Sequence, residues 1–95
     1  MNSTEFVRQR IDEIVTQFPA IRCRYEEGSY TDAHFIEISP SSIYKSDEEF
    51  IGIEHKIVLD FINQFPLESL VFIPEDNIVT IDRVDYVRKG PLFLC

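Results

Sequence analysis

Apolar residues recur every three or four positions in two stretches of the chain and at every second position in others. That difference divides it into helices and strands. Val7, Ile11, Ile14, Val15 and Phe18 fall on one side of a 3.6-residue period. Asn2 or Ser3 supplies a cap ahead of them, and Pro19 ends the helix by excluding Phe18 from helical geometry. A second and stronger helix carries Phe50, Ile53, Ile57, Val58, Phe61, Ile62 and Phe65, and Pro66 stops it. Ser46 followed by Glu49 reads as its capping box, and the carboxylates of Asp47, Glu48 and Glu49 suit the positive end of the helix dipole.

Between the helices the period falls to two. Ile21, Cys23 and Tyr25 alternate with Arg22, Arg24 and Glu26, as in a half-buried strand. A turn around Gly28 leads to the strand "AHFIEIS", so the two predict an antiparallel hairpin. "PSSIYK" reads as a connection. After the second helix, Leu70 to Ile73 is a continuous apolar run, the signature of a strand covered on both faces or central in its sheet. Glu75–Asp76–Asn77 reads as a turn, and "IVTID", residues 78 to 82, as a fourth strand. The remainder is irregular, broken at Gly90–Pro91 and ending in an apolar tail that includes Phe93.

The pattern predicts an α+β fold in the order α-β-β-α-β-β. Its sheet is four-stranded and mainly antiparallel, with two helices packed on one face, and residues 1–95 form one compact domain. Gln-Phe-Pro ends both helices, at 17–19 and 64–66. That echo is compatible with an αββ pseudo-repeat, residues 2–45 and 46–90, and equally with ordinary helix–proline–strand punctuation.

Composition narrows the function. A chain of 95 residues buries roughly 60–70% of its unfolded surface, enough for a core without staples. Seventeen acidic against nine basic residues give a net charge of −8. A phosphate backbone is repelled by this balance, and the densest basic spots, Arg22–Arg24 and Arg88–Lys89, are pairs rather than patches. Nucleic-acid binding is therefore not expected. The acidity serves solubility, or presents an acidic face to a basic protein partner. No apolar run approaches the ~20 residues that span a bilayer, and the N-terminus lacks the apolar centre of a signal peptide. A cytoplasmic location with two reduced thiols, Cys23 and Cys95, is the expectation; a bridge between them is the alternative. Three glycines, Gly28, Gly52 and Gly90, do not make a phosphate cradle, and no cofactor is expected.

The candidate chemistry gathers at "TDAHFIEISP", residues 31–40. On a strand Asp32 and His34 share a face, while Glu37 joins Phe35 on the other, so the three do not form a local triad. A carboxylate can orient an imidazole. With His55 from the second helix, Asp32 and His34 become the candidate metal- or ligand-binding set, or the acid–base groups of a small hydrolase-like enzyme. There is no GxSxG, and neither cysteine has a histidine close in sequence. The sheet face away from the helices would carry Arg22, Arg24, Phe35 and Glu37. That face, with Phe93 from the tail, is the candidate surface for a partner or for self-association, unless the tail folds back over it.

At "AHFIEISP", "FINQFP" and "VFIPED" the chain resembles small acidic bacterial α+β proteins to which no activity is assigned. The resemblance implies a fold and no site residues. Size and charge also invite comparison with immunity proteins and antitoxins, by analogy alone. The leading expectation is a non-catalytic interaction or regulatory module, inhibitor-like, with a small-ligand or metal-binding module as the alternative.

Overall fold

A computed structural model describes residues 1–27, 32–78 and 81–93. The elements are α1 (Ser3–Gln17), β1 (Arg22–Glu27), β2 (Ala33–Ser39), α2 (Ser41–Ser46), α3 (Glu48–Gln64), β3 (Ser69–Pro74) and β4 (Tyr86–Lys89). The fold is α+β, with a four-stranded sheet in the order β3-β2-β1-β4.

The sheet is mainly antiparallel, as expected, but mixed, because one of its three pairings is parallel. β1 runs antiparallel to both β2 and β4, but β3 runs parallel to β2, with His34 opposite Leu70 and Ile36 opposite Phe72. The reason is α3. A helix inserted between two strands carries the chain back to the end where the first strand began, so the second strand enters in the same direction. The two Gln-Phe-Pro helix ends do share a local geometry. Phe18 and Phe65 each donate a backbone N–H to the carbonyl four residues earlier, and each accepts from the N–H three residues later. The strands that follow differ: β1 and β2 pair directly, whereas β3 and β4 stand at opposite edges.

Three further boundaries move. "PSSIYK" contains the short helix α2, and Ser46 is its last residue. The cap of α3 is instead Asp47, whose Oδ1 accepts the N–H of Phe50 at 3.0 Å. The fourth strand forms not at 78–82 but at Tyr86–Lys89. Ile78, Ile81 and Asp82 are outside any strand, and Val79 and Thr80 lie outside the described residues, as does the turn at Gly28. Charges disguised β4 as irregular chain, yet an edge strand tolerates and even favours them.

α1 and α3 pack against the same face of the sheet. Phe6, Val7, Ile11 and Ile14 of α1 and Phe50, Ile57 and Phe61 of α3 meet Cys23, Tyr25, Ile36, Ile38, Leu70 and Phe72 from the strands. Phe6, Phe61 and Phe65 pack edge-to-face or tilted at 5.2–5.8 Å. Gly90 closes the chain against this body. Its N–H donates to the Ile21 carbonyl, and a Cβ there would overlap the Pro19 carbonyl group.

Gly52 and Gly90 therefore predict opposite outcomes. Gly52 lies inside α3 with open space where a Cβ would go, so Gly52→Ala should stabilise by about 0.5–1 kcal/mol. Gly90→Ala forces backbone to move and should destabilise by about 1–3 kcal/mol. Urea denaturation of both variants checks the pair; equal midpoints would contradict the packing at Pro19.

Candidate functional site

β2 carries His34 inward, 5% exposed, beside the Phe61 ring at 5.5 Å. Both ring nitrogens are engaged. Nδ1 lies 2.6 Å from the Tyr25 hydroxyl and Nε2 2.8 Å from Glu68 Oε1. The same Glu68 oxygen accepts the Ser3 hydroxyl at 2.7 Å, and Thr4 is bonded to Tyr25. One assignment of protons satisfies every member: Thr4 donates to Tyr25, Tyr25 to Nδ1, Nε2–H to Glu68, and Ser3 to Glu68. In that arrangement His34 Nε2 is the donor and Nδ1 the acceptor. The register explains the convergence. Tyr25 and His34 come from neighbouring strands on the inner face, and Glu68 immediately precedes β3, two residues before Leu70, the residue opposite His34.

The order carboxylate–imidazole–hydroxyl is that of an activated nucleophile, but the electrostatics run the other way. Tyr25 is fully buried, and burial pushes its hydroxyl up to about 12. Burial, with Asp12 nearby, pushes the Cys23 thiol up to about 12 as well. An activated nucleophile needs a depressed pKa and a path to substrate. Glu68 is held below the usual carboxylate range, first by the His34 hydrogen bond and then by Ser3. The array is a polar network, buried at Tyr25 and His34 and partly exposed at Ser3 and Glu68, that ties α1, β1, β2 and the entry to β3 together.

Asp32 does not orient His34. It is exposed, it precedes β2, and its backbone carbonyl accepts the Ser69 N–H at 2.8 Å. Glu68 occupies the position that Asp32 was expected to fill. His55 is exposed on α3 in a shallow concavity with Glu54, Val58 and Leu59. Among the described residues no group of three or more His, Cys, Asp or Glu side chains could hold a metal ion, so Asp32, His34 and His55 do not meet as one. Cys23 is a buried free thiol, and Cys95 lies outside the described residues.

The helix-free face is covered at its centre, while Val71 and Val87 remain exposed on it. Glu37 is 3% exposed, with Arg24 Nη1 at 3.1 Å and Arg22 Nη2 at 3.7 Å. Arg22 also donates to Ser39 Oγ, and its guanidinium lies 5.2 Å from the Phe93 ring. The tail thus folds back at this end as far as Phe93. At the other end Glu26 Oε1 accepts the N–H groups of Asp82 and Arg83, which seats the chain before β4 on the same face. Phe35 is half-buried beside Val71. Arg22, Arg24, Glu37 and Phe93 answer one another within the chain.

Sequence reasoning missed Tyr25 and Glu68. Alternation places Tyr25 on the inner face with Cys23, which was a usable signal; Glu68 becomes visible only once β3 is known to run parallel to β2. No protein-family model, curated protein or solved structure matches the chain.

Removing the phenol should leave Nδ1 of His34 buried without a donor. Tyr25→Phe is expected to cost about 1–3 kcal/mol, while Asp32→Asn and His55→Ala stay within about 0.5 kcal/mol. Thermal melts with and without zinc test this; a zinc-dependent rise abolished by His55→Ala would restore the metal reading.

Alkaline pH supplies a second test. Cys23 and Tyr25 ordinarily lose their protons near 9.0 and 10.0, but keep them to about 12 in the fold. Above pH 9 the unfolded chain therefore binds fewer protons than the folded one, and stability falls as pH rises. The stabilising contribution is complete below pH 9 and lost on the way to 12. Denaturation midpoints measured from pH 8 to 11 should decline from 9 upward, and Cys23→Ala should flatten the first part of that decline.

Proposed function

We propose that the chain is a non-catalytic interaction module whose partner is a basic protein, acting as an inhibitor or regulator that masks a cationic surface. The observation that carries this reading is the division of charge. Of nine lysines and arginines, Arg10, Arg22, Arg24, Lys45, Arg83 and Arg88 are held in ion pairs with the chain's own carboxylates. Arg8 lies over the Tyr86 ring, and Lys56 lines the α1–α3 groove with Glu13 and Asp60. Glu5, Glu48, Glu49 and Glu75 have no ion-pair partner among the described residues. Most of the positive charge is thus neutralised by the chain's own carboxylates, in pairs that are themselves partly exposed, with Lys89 exposed and outside these pairs; the excess that remains is negative. Such a field accelerates and orients the approach of a basic partner. The described helices include none long and apolar enough to cross a membrane.

Immobilised protein should retain a basic protein from lysate of its own cell at low ionic strength and release it at roughly 0.5 M salt, where surface charges are screened. The purified pair should then reproduce the salt dependence by calorimetry. Retention of nothing that salt removes would overturn the reading.

A further inference from the structure

α3 has two apolar arcs. Phe50, Ile57 and Phe61 enter the core. Ile51, His55, Val58, Leu59 and Ile62 follow at helical spacing on a second arc, where Leu59 is 61% and Ile62 49% exposed. α1 packs against the other flank of α3, through Arg10 with Asp60 and Gln17 with Glu49. The second arc therefore faces away from α1.

Its border is acidic. Glu54 lines the concavity with His55, Val58 and Leu59. The Glu54 carboxyl has the Tyr44 hydroxyl and His55 beside it, and no lysine or arginine is paired with it. Burial raises its pKa, so the ionised form gains from a cation brought to it. Glu48 falls on the same arc, and no lysine or arginine does.

We propose that this arc of α3 docks a basic amphipathic helix of the partner, with apolar side chains on Val58, Leu59 and Ile62 and a lysine or arginine at Glu54. The proposal rests on the interaction reading above and adds the place and the form of the contact. Charge selects the occupant. A second copy would bring another −8 to this surface, whereas a cationic helix neutralises its carboxylates. Ile51 to Ile62 spans about 17 Å, three turns, the length of an ordinary helix-on-helix contact. Strand addition at the neighbouring β3 edge is less suited. Ser69 and Glu75 donate toward β2, so the even positions face outward. There Tyr44 takes the Phe72 carbonyl, and Pro74 has no N–H.

The test is an NMR titration of the ¹⁵N-labelled protein with a synthetic leucine–lysine peptide of amphipathic helical spacing, against a scrambled peptide of equal composition. Shift changes should concentrate at residues 54–62, and the scrambled peptide should bind roughly tenfold more weakly. Glu54→Gln and Leu59→Ser, both at non-core positions, should each weaken binding about five- to tenfold with unchanged melting temperature. Equal binding of the scrambled peptide, shifts spread over the whole acidic surface, or variants that bind like the parent would overturn the docking surface while leaving a basic partner in place. Leu59-dependent dimerisation in sedimentation would assign the arc to a second copy and overturn the proposal. If no basic probe binds in a salt-sensitive way, the functional reading falls with it.

Discussion

From Ile36 to Ser39 β2 is buried on both of its faces, and the rest of the structure is arranged around that constraint. Inward it presents His34, Ile36 and Ile38, and outward Glu37 and Ser39, all at most 5% exposed. A strand in that position cannot leave a polar side chain unanswered, because an isolated buried imidazole or carboxylate costs several kcal/mol. The answer on one side is Tyr25 and Glu68; on the other it is Arg22 and Arg24. Both sides draw on β1, whose alternation sends Tyr25 inward and the arginines outward. The β1–β2 register, with Arg24 opposite Glu37 and Tyr25 opposite Ile36, is thereby set by polar pairing as well as by apolar alternation.

The inner network also bears on chemistry. A hydroxyl, an imidazole and a carboxylate in line are the parts of a relay, and the same parts make a structural lock when the hydroxyl is sealed in the core. What separates the two cases is the direction of the shift and the access. Tyr25 is driven toward its protonated form, and each of its neighbours is already satisfied. A group in that state holds elements together, here by joining the first turn of α1 to the start of β3 through Ser3 and Glu68.

Much of this was legible in the chain. The periods of α1 and α3, the β1–β2 hairpin and the shared inward face of Cys23 and Tyr25 follow from spacing alone, because each is a local property. What was not legible depends on how distant segments pair. The short α2 has no apolar repeat, and its tyrosine acts through a hydrogen bond to Phe72. The parallel entry of β3 follows from the helix before it. β4 is a charged edge strand that pairs only with β1, so its own composition argues against it. The candidate site failed at the same point: Asp32 is near His34 in sequence, but Glu68 is near it in space, and the parallel pairing makes the difference.

The outer arc of α3 stands apart from all these dependencies. Val58 is partly buried against the core, but Leu59 and Ile62 face outward. Polar side chains there would satisfy the amphipathic pattern equally well and would improve solubility. The fold therefore does not account for them. The ion pairs point the same way, since they lock most cations to carboxylates of the same chain and leave acidic groups beside an apolar strip. A surface that combines the two favours a ligand with the complementary pairing, an apolar stripe flanked by positive charge. Purely apolar partners would leave the carboxylates desolvated, and purely cationic ones would leave Leu59 and Ile62 in water.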